Sequence, residues 1–474
     1  MTTQPKVNTK DLKSGVKGTV MVPGDVGYDD ARRVWNAMID RRPAVIVRCA
    51  EDTDVAYAIS FARQHDLEIA VRGGGHHIGG HSVCEGGLVI DLSGMKHVHV
   101  EAGTRRAYVQ PGVTLGEFDR VVQEHALATP VGINSTTGIA GLTLGGGFGW
   151  LTREYGMTID NLLAAKVVAA DGKILPASEK DNPDLFWAIR GGGGNFGVVT
   201  QFEFKLHPVG PNVFAGLIVF PFKETKAVLA RYREFLESAP MNLNIWVVLR
   251  KAPPLPFLST DVHGKEVVVL AVFFSGEPVE GEKLIRPLRH FGNILGEHVG
   301  SMPYTQWQQA FDPLLTPGAR NYWKSHNLIE ISDGALETVV EYVGKLPSPH
   351  CEILLGLLAG AANEVPSRAT AYSARDAKFV MNVHGRWENP EQDDACVGWA
   401  RALFNAAARY ASSGAYVNFM TAEEGERVAA AYGPNYARLL EIKQRYDPEN
   451  VFHHNQNIRG SKQNGNSMAQ QRTA

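Results

Sequence analysis

Three glycine clusters are the first candidates for ligand-binding chemistry in this 474-residue chain. They occupy residues 72–77 (Arg-Gly-Gly-Gly-His-His), 138–149 and 191–197. Glycine permits positive φ angles and lets bare backbone N–H groups approach a ligand. Successive N–H groups form concave sites for anions such as a pyrophosphate. Because ordering such clusters is costly in chain entropy, a bound ligand explains them better than simple turns do.

The spacing within these clusters excludes two common nucleotide-binding modes. None of them has the G-x-G-x-x-G pattern of a Rossmann turn, and none is followed by Gly-Lys-Ser/Thr. The sequence therefore predicts a nucleotide held in neither the Rossmann nor the Walker mode.

Histidine is concentrated at the first cluster, where His76, His77 and His81 lie within six positions. A metal centre is one interpretation, but no nearby carboxylate or cysteine pair completes a tetrahedral ligand set. Loop histidines hydrogen-bonded to backbone carbonyls are a second interpretation. In the third, one imidazole nitrogen is a nucleophile that becomes bonded to a cofactor.

The elements around these clusters alternate between strand and helix patterns. Strands are predicted at 44–48, 68–72, 87–92, 107–109, 164–169 and 198–204, and helices at 53–65, with Thr53 as the N-cap, and at 115–124. This order predicts an α+β fold with mixed strands rather than a regular βαβ series.

The composition changes at residues 207–211, which have the character of a linker. Strands at 213–220, 243–249 and 266–274 follow, with a helix at 223–237 and further helices at 423–430 and 436–446. This pattern predicts a large antiparallel sheet covered by helices on one face.

Bulk properties exclude several classes of protein. A formal net charge of −3 gives no basic footprint for nucleic acid. No apolar run is long enough to span a bilayer, and residues 1–15 have no apolar core of a secretory signal. Four scattered cysteines favour reduced, buried thiols. We therefore expect a cytoplasmic protein without a membrane or nucleic-acid partner, and a disordered tail at 461–474.

Four motifs in fixed order carry a resemblance to a known family. They are 71–76 (Val-Arg-Gly-Gly-Gly-His), 137–149, 193–199 (Gly-Gly-Asn-Phe-Gly-Val-Val) and a C-terminal set at 432–436, 446–452 and 455–458. Over about residues 40–458 the chain resembles the vanillyl-alcohol-oxidase-type (PCMH-type) FAD-linked oxidases, and among them the berberine bridge enzyme-like group.

The resemblance implies an α+β fold with a two-lobed PCMH-type FAD-binding domain and a separate substrate domain with the large sheet. The implied boundaries are 1–211 for the FAD-binding domain (core about 38–211), 212–424 for the substrate-binding domain and 425–460 for a segment that returns to the FAD domain.

The resemblance also implies that His76, which ends the first motif, is joined covalently to the 8α-methyl carbon of FAD. Many relatives add a second bond from a cysteine shortly before the second cluster. That position is Asn134 here, and no cysteine lies between Cys84 and Cys351. A single covalent link through His76 is therefore expected.

The glycine clusters and the family motifs together give a set of FAD-binding residues. It comprises Arg72, Gly73, Gly74, Gly75, His76, His77, His81, Thr137, Gly138, Gly141, Gly145, Gly146, Gly147, Tyr155, Asp160, Asn161, Gly197, Val198, Val199, Tyr416, Asn418, Asn455 and Asn457.

The family strand above the flavin resembles residues 379–387, which end in Trp387. Alternation puts Asn382 and His384 on one face. Asn382 lies where relatives carry Glu or Gln, and an amide cannot act as a general base near neutral pH. His384 or Tyr416 is then the candidate base. Alternatively, an amine substrate that is already neutral needs no base, only a hydrogen-bond acceptor.

Residues 415–419 resemble the family's Tyr-x-Asn-Tyr strand, with Phe419 in place of the second tyrosine. In sugar-oxidising relatives a tyrosine of this region helps to deprotonate the alcohol. The phenylalanine therefore argues against an oligosaccharide substrate.

These observations predict an FAD-dependent oxidase that moves a hydride from an alcohol, an amine or a secondary metabolite to the flavin. O2 is the expected acceptor and H2O2 the product. A flavin dehydrogenase with another acceptor, a flavin-dependent cyclase or isomerase, and a metal hydrolase using the histidines are the alternatives. The sequence leaves the substrate and the oligomeric state open.

Overall fold

The computed structural model describes residues 8–412 and 414–460. Its strands are β1 (Thr19–Met21), β2 (Val45–Arg48), β3 (Ile69–Arg72), β4 (Leu88–Asp91), β5 (Val98–Glu101), β6 (Arg106–Val109), β7 (Leu127–Ala128), β8 (Leu162–Val168), β9 (Ile174–Ser178), β10 (Val198–Lys205), β11 (His207–Pro208), β12 (Asn212–Pro221), β13 (Leu243–Lys251), β14 (Glu266–Phe274), β15 (Gly296–Pro303), β16 (Arg320–Leu328), β17 (Glu352–Leu357) and β18 (Phe379–Trp387).

The helices connect these strands and close the C-terminus. They are α1 (Lys10–Gly15), α2 (Tyr28–Arg32), α3 (Asp52–Gln64), α4 (Leu115–Gln123), α5 (Ile139–Leu144), α6 (Thr152–Tyr155), α7 (Pro183–Ile189), α8 (Thr225–Leu236), α9 (Pro278–Ile285), α10 (Tyr304–Gln308), α11 (Asp333–Val343), α12 (Ala361–Glu364), α13 (Asp393–Ala407), α14 (Val428–Tyr432) and α15 (Tyr436–Tyr446). In the described part of the chain, no helix is long and apolar enough to cross a membrane.

The first half of the chain builds two lobes, each on its own sheet. One lobe has the order β1-β2-β4-β3, in which β2, β4 and β3 are parallel and β1 is antiparallel. The other has the order β5-β6-β10-β8-β9, in which every pair is antiparallel. The predicted α+β class with mixed strands is confirmed.

The predicted N-terminus of the first long helix differs from the structure. The helix predicted at 53–65 exists as α3, but the prediction of Thr53 as its N-cap is wrong. The helix begins at Asp52, and Glu51 occupies the N-cap position. The hydroxyl of Thr53 donates to the Glu51 carboxylate instead, because the carboxylate one residue before the helix is the stronger acceptor within reach.

The second half of the chain forms a seven-stranded antiparallel sheet with the order β15-β12-β14-β13-β17-β18-β16. One face packs against α8, α9, α11 and α13 in the largest hydrophobic core, through residues such as Ile245, Val268 and Ile353. Alternate residues point to the opposite face. The predicted large sheet with helices on one face is confirmed, and its other face is free to line a site.

Two expected elements differ from the structure, and one expected segment lies outside the described residues. The strand expected at 415–419 is wrong: Tyr416 is extended, but Val417–Phe419 form a single 3₁₀ turn. The helix expected at 423–430 is a 3₁₀ segment, Ala422–Arg427, that continues into α14. The tail expected to be disordered, 461–474, lies outside the described residues.

The chain after α14 returns to the glycine-rich loops of the first half. The buried Lys443 ammonium on α15 lies 2.6 Å from Asp447 and donates to the carbonyl oxygens of Asn195 and Phe452. Asp447 in turn accepts from the backbone N–H groups of Val451 and Phe452. Burial lowers the pKa of Lys443, and the Asp447 carboxylate opposes that shift. One buried ion pair thus fixes the C-terminal segment to the 193–197 loop.

We expect Lys443→Ala to lower the free energy of unfolding by about 3–5 kcal/mol, because it leaves the Asp447 carboxylate buried without its cation. The matched control is Lys345→Ala, which breaks the exposed pair with Glu341 on α11 and should cost under about 1 kcal/mol. Urea unfolding followed by tryptophan fluorescence measures both. Equal effects of the two variants would contradict the role assigned to the buried pair.

Candidate active site

A cavity of about 370 Å³ lies between the two lobes and the helix-free face of the large sheet. Its walls come from the loops at 73–77, 137–141 and 193–199, from sheet residues on β13, β17 and β18, and from the C-terminal residues 454–456. The three glycine clusters, distant in sequence, therefore contribute to one cavity.

Two of the glycine loops cross with their backbones in contact. A Cβ atom added to Gly74 would lie 2.3 Å from the backbone nitrogen of Gly138, and one added to Gly138 would lie 2.3 Å from the nitrogen of Gly74. Real Cβ atoms do not approach backbone this closely, so only glycine is compatible with the crossing. The crossing joins the loop of His76 to the start of α5.

Many of the predicted cofactor and catalytic residues line this cavity. They are Gly73, Gly74, Gly75, His76, His77, His81, Thr137, Gly138, Gly141, Gly197, Val198, Val199, Asn382, His384, Tyr416, Asn418 and Asn455. The remaining predicted residues, which are absent from the cavity wall, are Arg72, Gly145, Gly146, Gly147, Tyr155, Asp160, Asn161 and Asn457.

Asp160 and Asn161, which lie outside the wall, have protein partners that explain their positions. Both carboxylate oxygens of Asp160 accept from the buried Arg375 guanidinium, at 2.7 and 2.8 Å. The Asn161 amide donates to the carbonyl oxygens of Tyr155 and Met157. The sequence motif therefore marks a turn whose polar groups are used to build the protein.

Arg72 and the glycines at 145–147 also act from behind the wall. A guanidinium N–H of Arg72 donates to the carbonyl oxygen of Ala31 at the end of α2. The N–H of Gly147 donates to the Tyr416 hydroxyl at 3.2 Å, and Asn418 donates to the carbonyl oxygens of Gly141 and Leu142. These contacts fix Tyr416 and Asn418, which do line the cavity.

His76 lines the cavity and is held by an aromatic stack and a hydrogen bond. Its ring stacks on Trp35 at a centroid distance of 5.1 Å, and its Nε2 atom is 2.8 Å from the Thr136 hydroxyl. Burial lowers the pKa of His76 to about 4. The ring is therefore neutral at pH 7, and one of its nitrogens carries a lone pair.

Polar atoms without partners face the cavity and indicate that it suits a polar ligand. Among the described residues, both ring nitrogens of His81 and the side-chain oxygen of Asn455 lack a hydrogen-bond partner. Each buried polar group left in this way costs roughly 1–3 kcal/mol. Bare backbone at the glycine loops together with these unsatisfied groups fits a large polar cofactor such as FAD.

The part of the cavity wall formed by the large sheet carries a row of side chains across four strands. Strand pairing places Arg250 opposite Glu352, Glu352 opposite His384, and His384 opposite Trp323. All four residues line the cavity. The Arg250 guanidinium is 2.7 Å from one Glu352 oxygen, and the other Glu352 oxygen is 3.1 Å from Nδ1 of His384.

The charges in this row determine which nitrogen of His384 carries a proton. Burial opposes ionisation of Glu352, but the Arg250 guanidinium and the hydrogen bond from His384 lower its pKa to about 2. An ionised carboxylate only accepts, so Nδ1 of His384 must donate. Burial lowers the pKa of His384, against the opposing effect of Glu352. Neutral His384 therefore has its lone pair on Nε2, which has no partner among the described residues.

The other two catalytic candidates lie near His384 but have different chemistry. Burial raises the pKa of Tyr416 to about 12, so its phenol stays protonated near neutral pH and can donate but not accept a proton. The Asn382 amide nitrogen has no partner in the described part of the chain and is a free donor at the cavity wall. Of the three predicted residues, His384 is the one with a free nitrogen lone pair that can accept a proton near neutral pH.

Sequence reasoning missed Glu352, Arg250 and Trp35. Glu352 and Arg250 are each separated by many residues from the strand of His384, and only the sheet register brings them together. No local motif marks them in the sequence. The charged residues within the otherwise apolar strands at 243–251 and 352–357 were the one available signal, since buried charges are rare unless they are paired.

A two-lobed α+β unit with crossing glycine loops, joined to a seven-stranded sheet, is the architecture of the FAD-linked oxidoreductases. Comparison with known proteins agrees: residues 43–178 match the FAD binding domain model, and residues 415–459 match the model for berberine and berberine-like proteins.

Relatives and solved structures match over nearly the whole chain. The FAD-linked oxidoreductase YgaK of Bacillus subtilis is 32% identical, over 94% of this chain and 98% of its own. The (R)-6-hydroxynicotine oxidase of Paenarthrobacter nicotinovorans is 30% identical, over 94% and 97%. The crystal structure of 6-hydroxy-D-nicotine oxidase from Arthrobacter nicotinovorans superposes with a TM-score of 0.84 at 29% identity, over 94% and 98%. The chain belongs to the berberine-like family of FAD-linked oxidoreductases.

The contacts of Asp160 lead to a prediction that separates structural from cofactor-binding residues. We expect Asp160→Ala to lower the free energy of unfolding by about 3 kcal/mol, because it leaves the Arg375 guanidinium buried and unpaired. The FAD content of the folded fraction should not change. Absorbance of the purified protein and urea unfolding measure these two quantities.

The control for this variant is Asp171→Ala, which breaks the exposed contact with Lys173 and should leave both quantities near the wild-type values. A folded Asp160→Ala protein without FAD would show instead that the carboxylate serves the cofactor.

Proposed function

We propose that this protein is an oxidase that carries FAD covalently on His76 and removes a hydride from a small organic substrate, with O2 as the electron acceptor. The domain boundaries implied by the family resemblance, with the substrate domain at 212–424, are part of this proposal. The observation that carries it is one cavity whose wall holds two neutral imidazoles, His76 at the glycine loops and His384 on the large sheet.

Aromatic contacts connect the two histidines. The ring of His76 stacks on Trp35, Trp35 meets Trp323 at a centroid distance of 5.7 Å, and Trp323 meets His384 at 4.4 Å. These contacts join His76 and His384 through one aromatic wall, along which a flavin attached at His76 would lie. This supports the assignment of His76 to the cofactor and of the neighbouring His384 to the substrate.

Bound FAD supplies the hydride acceptor, and its reoxidation by O2 gives H2O2. The protein supplies the proton acceptor: the lone pair on Nε2 of His384 takes the proton of the substrate hydroxyl or amine as the carbon loses its hydride. Glu352 holds the Nδ1 proton and stabilises the imidazolium that forms. The Tyr416 hydroxyl and the Asn382 amide are donors that can orient the substrate.

The composition of the cavity wall supports a substrate with an apolar body. Next to Arg250, the same face of the sheet carries Val248 on β13 and Val267 and Val269 on β14. Leu258, in the loop between these two strands, covers this apolar part of the cavity. Such a surface offers no hydrogen bonds to sugar hydroxyls, and an unsatisfied hydroxyl costs roughly 1–3 kcal/mol on burial. An apolar alcohol or amine fits better, and the relative named as a hydroxynicotine oxidase supports the amine.

The first prediction from this proposal concerns the covalent bond. Protein precipitated with acid should remain yellow, and peptide mass mapping should find flavin on the peptide that contains His76 and on no cysteine peptide. His76→Ala should release its flavin on precipitation, whereas His77→Ala should retain it. Flavin attached to any other residue would contradict the assignment.

A second prediction concerns the base. A screen of apolar amines and alcohols for peroxide formation supplies the substrate, and anaerobic stopped-flow then measures flavin reduction against pH. Because the neutral imidazole is the active form and burial lowers the pKa of His384, the rate should rise with pH and show an acidic limb below the usual titration range of histidine. His384→Gln should lose that limb and about 10²-fold or more in rate.

Asn382→Ala serves as the control for this experiment, because it changes the same cavity wall without removing a titrating group. It should slow the reaction but keep the limb. Retention of both rate and limb in His384→Gln would show that His384 is not the base.

A further inference from the structure

The hydrogen bonds around His76 form a short chain that starts at Asn134. The side-chain oxygen of Asn134 lies 3.0 Å from the backbone nitrogen of Thr136 and 2.7 Å from its hydroxyl oxygen. The Thr136 hydroxyl lies 2.8 Å from Nε2 of His76. Asn134 and His76 line the cavity, so this chain is next to the proposed point of flavin attachment.

The direction of each hydrogen bond in this chain is determined by its neighbours. A backbone N–H can only donate, so the Asn134 atom that faces Thr136 is the carbonyl oxygen and not the amide nitrogen. That oxygen has no hydrogen, so the Thr136 hydroxyl must give its own proton to it. The hydroxyl oxygen is then left with lone pairs alone toward His76.

The consequence for His76 is a single tautomer. Because the Thr136 oxygen can only accept at this contact, Nε2 of His76 must carry the hydrogen. The ring is neutral at pH 7, since burial lowers its pKa. A neutral imidazole has one protonated nitrogen, so the lone pair lies on Nδ1.

We infer that Asn134 and Thr136 are positioning residues that hold the proton of His76 on Nε2 and so make Nδ1 the nitrogen that bonds to FAD. This inference rests on the proposed covalent link through His76. It assigns a role to Asn134, the position at which many relatives form their second flavin bond through cysteine. In this chain the same position acts on the first bond.

The bond-forming step balances with O2 as the oxidant. The Nδ1 lone pair forms a bond to the 8α-methyl carbon, and one C–H bond of that methyl group breaks, with the hydrogen leaving as a proton. The positive charge that develops on the imidazole is shared with Nε2–H, which donates to Thr136 and then loses its proton. The electron pair of the broken C–H bond passes through the isoalloxazine to O2, and with the two protons gives H2O2.

The test follows formation of the covalent bond rather than turnover. Full-length protein is purified from riboflavin-limited cells and mixed with FAD in air. The bound FAD is measured by absorbance, and the covalent fraction by the flavin that remains with acid-precipitated protein over time. If the wild-type protein binds FAD but never forms the covalent bond, the proposed link through His76 is wrong. That outcome is distinct from a failure of the role given to Asn134 and Thr136.

Thr136→Val is the decisive variant, because it keeps the shape of the side chain and removes the acceptor for Nε2–H. Thr136 is exposed, so the variant should fold and bind FAD as wild type does. We expect its covalent bond to form at least about 10-fold more slowly, because a histidine in the wrong tautomer lacks its reactive lone pair. Peptide mapping by NMR should also show part of the flavin on Nε2.

Thr136→Ser is the matched control, since it restores the hydroxyl and should restore the wild-type rate and attachment at Nδ1. Asn134→Ala should give an intermediate rate, because the freed hydroxyl can then also donate to Nε2. A wild-type rate in Thr136→Val, or a Thr136→Ser protein as slow as Thr136→Val, overturns the inference. If Thr136→Val binds no FAD, a wild-type rate in Asn134→Ala overturns it.

Discussion

The site depends above all on the register of the seven-stranded sheet. Pairing across β13, β17, β18 and β16 places Arg250, Glu352, His384 and Trp323 side by side on the face opposite the helices. Because side chains alternate with a period of two, a slip of one residue would turn each of them into the core. The apolar residues on the other face, such as Val383 and Ile353, resist that slip, so the packing of the helices indirectly fixes the position of His384.

The contacts between Arg250, Glu352 and His384 also explain how a charged carboxylate is tolerated in the wall of the cavity. The Glu352 side chain is only 12% exposed, and a largely desolvated carboxylate is costly unless it is paired. It receives a guanidinium from Arg250 on one side and the imidazole N–H of His384 on the other. The pair with Arg250 keeps Glu352 ionised, and an ionised Glu352 keeps the lone pair of His384 directed at the cavity. The catalytic proposal thus begins with the electrostatics of a single ion pair.

One side of the cavity is built from the backbone of glycine loops, whereas the side formed by the large sheet presents side chains. Gly74 and Gly138 cross at a distance that excludes any Cβ atom, and the C-terminal segment is fixed to the third glycine loop by Lys443. Three loops and one returning segment therefore surround the same space. Against this rigid backbone, the relay from Asn134 through Thr136 sets the proton on His76.

The sequence by itself determined the fold class, the principal strands and the loops that line the cofactor cavity. These features follow from local causes: alternation of apolar residues, glycine at strand ends, and a histidine that closes a motif. It also gave His384 and Asn382 as neighbours on one face, because two residues two positions apart on a strand share a face. It erred where the local signal was weak, as for the N-cap at Thr53 and the strand at 415–419.

Only the tertiary structure decided which groups act on those residues. Arg250 and Glu352 reach His384 through strand pairing between distant segments, and Asp160, which a family motif placed at the cofactor, is turned to Arg375 by packing. The tautomers of His76 and His384 follow from partners that no spacing rule connects to them. The physical reason is that hydrogen bonds and charge pairing act over a few ångströms in space, whereas sequence patterns report only what is near along the chain.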